Sequence, residues 1–165
     1  MRPSPIQLKH VIYSKVFVEP LAIESQEPTP APEFDFKGVN VRAKISFGQK
    51  AGEEADPREF FVALEIEIDN KTGKQTPYSI SMSVLGLFNV LPGLAVEKRE
   101  DLIVVNGASI LYGVIREMTL SLTSRFAAGP LTLPGMNFEN DAPSSVRERA
   151  AKTIPQSNLL ETKKI

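Results

Sequence analysis

The chain has 165 residues, 42% of them hydrophobic, and a formal net charge of −1, which suits one domain with one sizeable core. Near-neutrality argues against nucleic acid or an anionic membrane as the main partner, since both need a basic surface. With no cysteine and a single histidine, disulfides, thiolate metal sites and cysteine nucleophiles are excluded, and the composition fits a cytoplasmic chain. No apolar run approaches the roughly 18–20 residues of a membrane span, and the N-terminus lacks the apolar core of a signal peptide, so neither is expected.

The first periodic segment covers residues 6–18. Ile6, Leu8, Ile12, Val16 and Val18 share one parity, and His10 falls on it as a structural histidine; Val11, Tyr13 and Phe17 make the other face apolar too. Pro20, Pro28, Pro30 and Pro32 then mark an extended crossover. Three cleaner strands follow. Val39, Val41, Ala43, Ile45 and Phe47 alternate with polar residues, as do Phe60, Val62, Leu64, Ile66 and Ile68, and then Tyr78, Ile80, Met82 and Val84. Such regular period-2 patterns predict antiparallel strands with one buried face, and the Asn/Gly turn at residues 70–73 makes the last two a hairpin. Residues 85–94 are apolar without a period and read as the end of a strand passing into an apolar loop.

One long helix is predicted over residues 106–126, capped by Asn106 or Ser109, with Ile110, Leu111, Val114, Ile115, Met118 and Leu122 at helical spacing. Its other side is built of Ser109, Gly113, Thr119, Ser121, Thr123 and Ser124, with Arg116, Glu117 and Arg125 as the only charges. Small residues there allow close helix–helix approach, so a helix-mediated oligomer is expected. Residues 131–138 are apolar and extended. Residues 1–142 form the domain, and 143–165 a mobile C-terminal segment with a short helix and a polar tail.

Four strands at about 4.8 Å spacing make a face roughly 19 Å wide, whereas one helix covers about 10–12 Å. About half of the apolar face therefore needs another cover: residues 85–94, residues 131–138, a second subunit or a bound chain. An adaptable apolar groove suits an extended peptide, with Met82 and Met136 as compliant walls. Chemistry is hard to find. Glu65, Glu67 and Asp69 face Arg42 and Lys44 across neighbouring strands and read as ion pairs. No set of metal ligands, serine elbow or phosphate-cradling glycine motif is present. The expectation is a binding protein, with no enzyme activity, cofactor or metal.

The order of these parts resembles the SecB family of protein-export chaperones. Ser109-Ile110-Leu111-Tyr112 with Arg116-Glu117, then residues 122–125, then Gly129-Pro130-Leu131-Thr132-Leu133-Pro134-Gly135-Met136-Asn137-Phe138 look like the family's N-x-L-F-P-Y-A-R-E, V-x-R-G and P-x-L-x-L-x-P-V-N-F stretches. Ile6-Gln7-Leu8 to Tyr13-Ser14-Lys15 is similar to the family's start, and Gly86-Leu87-Phe88 to its G-I-F. The resemblance implies an α+β fold: a four-stranded antiparallel sheet packed against one long helix plus a short C-terminal helix, assembled as a dimer of dimers. It implies an ATP-independent holdase in the cytoplasm, binding unfolded or preprotein polypeptides in long apolar grooves, for export or for a dedicated client. By position, the groove candidates are Phe34, Phe36, Val39, Val41, Phe88, Leu91, Leu94, Met136 and Phe138. The candidate oligomer interface is Tyr13, Ser109, Tyr112, Gly113, Arg116, Thr119, Ser121 and Thr123, and the resemblance implies a homotetramer.

Members coupled to the SecA motor are strongly acidic. Here Ser81 stands at an acidic mid-strand position, another falls near Val16, and only Glu19 keeps an acid; the apolar second helix is replaced by Ser144-Ser145-Val146-Arg147-Glu148-Arg149. SecA is thus the weaker partner candidate, and a dedicated client, such as the antitoxin of toxin–antitoxin-associated members, the stronger. The competing readings are a small hydrophobic-ligand carrier and a structural oligomerisation module.

Overall fold

A computed structural model describes residues 3–21, 31–52 and 55–153. In chain order it comprises β1 (Ile6–Pro20), β2 (Arg42–Gln49), β3 (Glu59–Ile68), β4 (Tyr78–Val90), α1 (Arg99–Thr123) and α2 (Pro143–Thr153). The strands form one antiparallel sheet in the order β1-β4-β3-β2, so β1 and β2 are its edges. This is the α+β architecture expected from the sequence.

The alternation of β3 and β4 puts Phe60, Val62, Leu64, Ile66 and Ile68 with Tyr78, Ile80, Met82 and Val84 on the face beneath α1, all buried. Met82 is therefore core and not a groove wall. On the opposite face Arg42 lies 3.1 Å from Glu67 and 2.6 Å from Asp69, the cross-strand pairing expected of these charges. Arg42, and secondarily the Lys71 N–H, hold the Asp69 carboxyl below its ordinary range.

β4 does not stop at Val84. It continues to Val90 with Gly86, Phe88 and Val90 inward and Leu85, Leu87 and Asn89 outward. Apolar residues on both faces hide the period there, which is why residues 85–90 read as aperiodic. β1 departs further. Its register against β4 shifts between Leu8 and His10 and again between Tyr13 and Lys15. Each shift inserts one residue and swaps the faces. Val11 and Tyr13 consequently lie opposite Gly86 and Val84 on the core side, while Ile12 pairs with Leu85 on the outside and is 50% exposed. His10, placed on the core parity by simple alternation, is exposed on the outer face.

α1 begins at Arg99, not near Asn106. No side chain caps it, but Glu100 and Asp101 occupy its first turn, where negative charge complements the helix dipole, and Ile103 and Val104 extend the buried stripe. The helix crosses the sheet at two glycines. A Cβ on Gly86 would stand 2.9 Å from Leu111 Cδ2, and one on Gly107 would stand 3.0 Å from Val62 Cγ2. By length and composition Val96–Thr123 could cross a membrane, yet its sheet-facing side is packed into the core.

The remainder of the apolar face is covered by residues 131–138, which return along α1 as an extended strap. Leu131, Leu133 and Phe138 point inward and are buried. Three helix side chains hold the strap: the Leu131 N–H donates to Thr123 Oγ1 at 2.8 Å, Arg116 Nε donates to the Leu133 carbonyl at 2.9 Å, and Tyr112 OH donates to the Pro134 carbonyl at 2.6 Å. The floor under α1 is thus sealed by the chain itself, and less of it is bare than one helix alone would leave. α2 docks on the first turn of α1, where the Ser144 N–H donates to Asp101 Oδ1 at 2.9 Å and Arg147 lies 2.9 Å from Glu100. Bonds from Ser144 hold the Asp101 carboxyl below its ordinary value. Pro28, Pro30 and the polar tail from 154 onward lie outside the described residues.

Candidate functional site

The crossover segment carries the first group of groove candidates. The Ala31 N–H donates to the Ala128 carbonyl at 3.0 Å, which ties its start to the loop after α1. Gly38, at φ 86°, turns the segment back, and Val39 bridges to Gly73 of the β3–β4 turn. Gly73 is required there: its φ is 76°, and a Cβ would sit 2.6 Å from the Gly38 carbonyl oxygen. On this frame Phe34 and Phe36 meet edge to face with ring centroids 5.2 Å apart. Lys74 Nζ sits 4.5 Å from the Phe34 centroid and donates to the Asp35 carbonyl at 2.6 Å. Phe34, Phe36, Val39 and Val41 are half-buried against the core and present one apolar patch beyond the C-terminal end of α1.

The second group lies at the other end of the helix. Leu91 is 36% exposed and Leu94 half-buried in the loop between β4 and α1. That loop is clamped by Arg99, itself 4% exposed. Its Nε and Nη2 donate to the Leu94 carbonyl at 3.0 and 2.9 Å, and its Nη1 donates to the Pro57 carbonyl at 2.8 Å and to Asp56 Oδ1 at 2.6 Å. Met136 is half-buried nearer the docked α2. With 25 residues in α1, the two groups are separated by roughly 37 Å at about 1.5 Å per residue.

Two groove candidates leave the surface altogether. Phe88 is 1% and Phe138 2% exposed, the latter edge to face with Tyr112 at 5.8 Å; both are core. They carry the inward parity of β4 and of the strap, which a search for apolar residues near a groove cannot distinguish from surface positions.

The proposed interface residues also divide. Tyr112, Thr119 and Thr123 are buried in their own protomer; Tyr112 and Thr123 hold the strap, and the Thr119 hydroxyl donates to the Ile115 carbonyl at 2.9 Å. Arg116 is half-buried on the strap, and Tyr13 OH donates to the Val114 carbonyl at 3.3 Å, joining β1 to α1. Ser109, Gly113 and Ser121 do face outward, and Ile110 and Leu120 join them at 37% and 41% exposure. Nothing lies within 4 Å of where a Gly113 Cβ would be. Burial pushes the Tyr112 phenol up to about 12 and raises those of Tyr13 and Tyr78. Sequence reasoning missed Arg99, whose positive charge at the start of a helix is itself the signal: it opposes the helix dipole and so needs partners.

No family profile matches the chain. It is 27% identical over 131 residues to the protein-export protein SecB of Acidithiobacillus ferrooxidans, in two strains, covering 76% of this chain and 82% of each relative. Its fold is similar to that of a SecB-like chaperone of Mycobacterium tuberculosis solved in complex with a peptide from an antitoxin, with TM-score 0.50, 16% identity, and coverage of 81% and 88% of the two chains. A protein of unknown function from Streptococcus agalactiae has TM-score 0.51 at 14% identity, covering 79% of this chain and 97% of that one.

Proposed function

We infer that this chain, SecB-like in sequence and in fold, is a cytoplasmic, ATP-independent holdase that binds unfolded polypeptide by apolar burial and performs no bond chemistry. The observation that carries the reading is the pair of half-buried apolar patches, Phe34, Phe36, Val39 and Val41 at one end of α1 and Leu91 and Leu94 at the other. An extended client of about eleven residues spans the distance between them at about 3.4 Å per residue.

A dedicated client is favoured over the SecA-coupled export route. The outer face carries Ser79, Ser81 and Ser83 in a row, and the acids Glu65, Glu67 and Asp69 beside them are set against Arg42 and Lys44 on β2, a net charge of −1 for the group. That leaves little net negative charge to recruit a basic partner. Assembly through the outward stripe of α1 completes the reading, with Ser109, Gly113 and Ser121 admitting a close neighbour and Ile110 and Leu120 supplying apolar area; a dimer of dimers is the arrangement proposed.

The test is suppression of aggregation of a reduced, unfolded substrate protein without nucleotide. Suppression near one assembly per client is expected, and the variant carrying Phe34→Ser with Phe36→Ser should lose most of it while keeping its secondary structure. No suppression by the unaltered protein would reject the holdase reading.

A further inference from the structure

The outer face of the sheet holds a cavity of about 460 Å³ that neither apolar patch includes. Two transverse rows of residues build it. The apolar row runs Gly48, Phe61, Leu87 and His10 across β2, β3, β4 and β1, each facing the next in register. Beside it lie Lys50, Glu59 and, opposite Glu59, Asn89, with Lys9 entering from the β1 register shift. Two local departures from regular structure open the space. At Gly48 a Cβ would stand 2.4 Å from Phe61 Cζ, so the missing side chain lets the phenyl ring tip over β2, away from Leu87. The register shift between Leu8 and His10 brings two consecutive residues, Lys9 and His10, to the same cavity, which regular alternation would forbid.

The charges are unequal. Lys50 lies 2.6 Å from Glu59, so those two neutralise one another. Lys9 has no carboxylate partner among the described residues; it stands in the β1 register shift, between the residues paired with Phe88 and Leu87, and lines the cavity together with Asn89. An apolar floor with one uncompensated cation at its rim is complementary to an apolar body bearing one negative charge, and the volume lies within the range of about 300–1,000 Å³ typical of small-molecule sites.

We propose that this outer-face cavity binds a small carboxylate with an aryl or branched apolar body, its ring on Phe61 and Leu87 and its carboxylate at Lys9 and Asn89. The site is separate from the polypeptide patches, and the proposal does not rest on the holdase reading.

The probe is 3-phenylpropionate, titrated into the isotope-labelled full chain and compared with its neutral isostere 3-phenylpropanamide. Saturable amide shifts at residues 9–10, 59–61 and 87–89 are expected, with the acid bound about threefold to fivefold more tightly than the amide, the discrimination one exposed ion pair supplies. Lys9→Gln should abolish that preference while leaving amide binding unchanged. Gly48→Val should drive the Phe61 ring towards Leu87 and weaken both ligands. The proposal is overturned by equal binding of acid and amide, by no saturable shift at these residues up to about 10 mM ligand, or by shifts centred on residues 34–41.

Discussion

Replacing Arg99 by alanine tests how the Leu91 and Leu94 loop is held. The guanidinium donates to the carbonyls of Leu94 and Pro57 and to Asp56, and it does so from the first position of α1, where the helix dipole disfavours a cation. Truncation leaves two main-chain carbonyls to find water and removes a nearly buried side chain from the junction of three segments. Asp56 is half exposed and rehydrates easily, so the loss comes from the carbonyl bonds and the packing. A loss of about 2–4 kcal/mol is expected from charged hydrogen bonds of this kind. For 165 residues, an unfolding entropy of about 0.35 kcal/mol/K makes this a fall of roughly 6–12 °C in midpoint. Arg99→Lys keeps the charge but not the planar fork and should lose about half as much.

The measurement is denaturant unfolding at one fixed protein concentration, because association shifts apparent stability. A pH series adds a second readout. Arg99, and then Arg58, hold the Asp56 carboxyl below its ordinary value of 3.8. A depressed carboxylate contributes stability above the unfolded value, and that contribution is lost as pH falls below about 4 through the folded one. The acid limb should therefore be shallower in Arg99→Ala. An alanine variant within about 0.5 kcal/mol of the parent, with an unchanged acid limb, would refute the clamp.

Gly113→Arg should break the proposed assembly through α1 without loss of helical circular dichroism, read as a smaller mass by light scattering; an unchanged mass would remove α1 from the proposed interface. Gly86→Val should cost about 1–3 kcal/mol in denaturant unfolding by driving a branched side chain into Leu111 and Phe88. Tyr112→Phe should cost about 1 kcal/mol through the lost bond to Pro134. The same burial raises the Tyr112 phenol above its unfolded value, so its contribution is complete below pH 10 and lost as pH rises from 10 through about 12. Tyrosinate absorbance should follow, with the phenylalanine variant losing part of the alkaline destabilisation.

β3 and the first half of β4 were legible because one face is wet: Glu65, Glu67, Ser79, Ser81 and Ser83 mark the period plainly. Where both faces are apolar the period vanishes, as at Leu85 and Leu87, and the strand end was lost with it. β1 was misread for a different reason. Its parity is broken twice by inserted residues, and nothing in an apolar run announces a bulge. Arg116 and Thr123 lie on the helix side whose small residues point to a close neighbour, yet with Tyr112 they grip a strap of the same chain. The two stretches carrying the family resemblance, around Tyr112 to Arg116 and around Leu131 to Phe138, bind each other through those side chains. Their shared role is to close the core. The two apolar patches rest on Gly38, Gly73 and Arg99, whose effects depend on partners far away in the chain.

A closed core changes what a holdase of this shape can do. With the sheet sealed under α1 and its strap, a client cannot extend the hydrophobic core and gains only the exposed remainder of each patch. If contact with the Phe34 and Phe36 patch removes on the order of 150–200 Å² of apolar surface, the gross gain is about 4–5 kcal/mol at about 25 cal/mol/Å². Before any ordering cost, that corresponds to affinity near the millimolar range. A chain long enough to reach the second patch meets it at an effective concentration also near millimolar, about the dissociation constant of that contact, so the second patch tightens binding by about twofold to sixfold. A folded protein cannot present extended chain to both ends, and a peptide too short to span them keeps only one. A few-fold preference for long unfolded polypeptide then follows from the spacing of two modest sites, and it should disappear when either patch is removed, although the other remains intact.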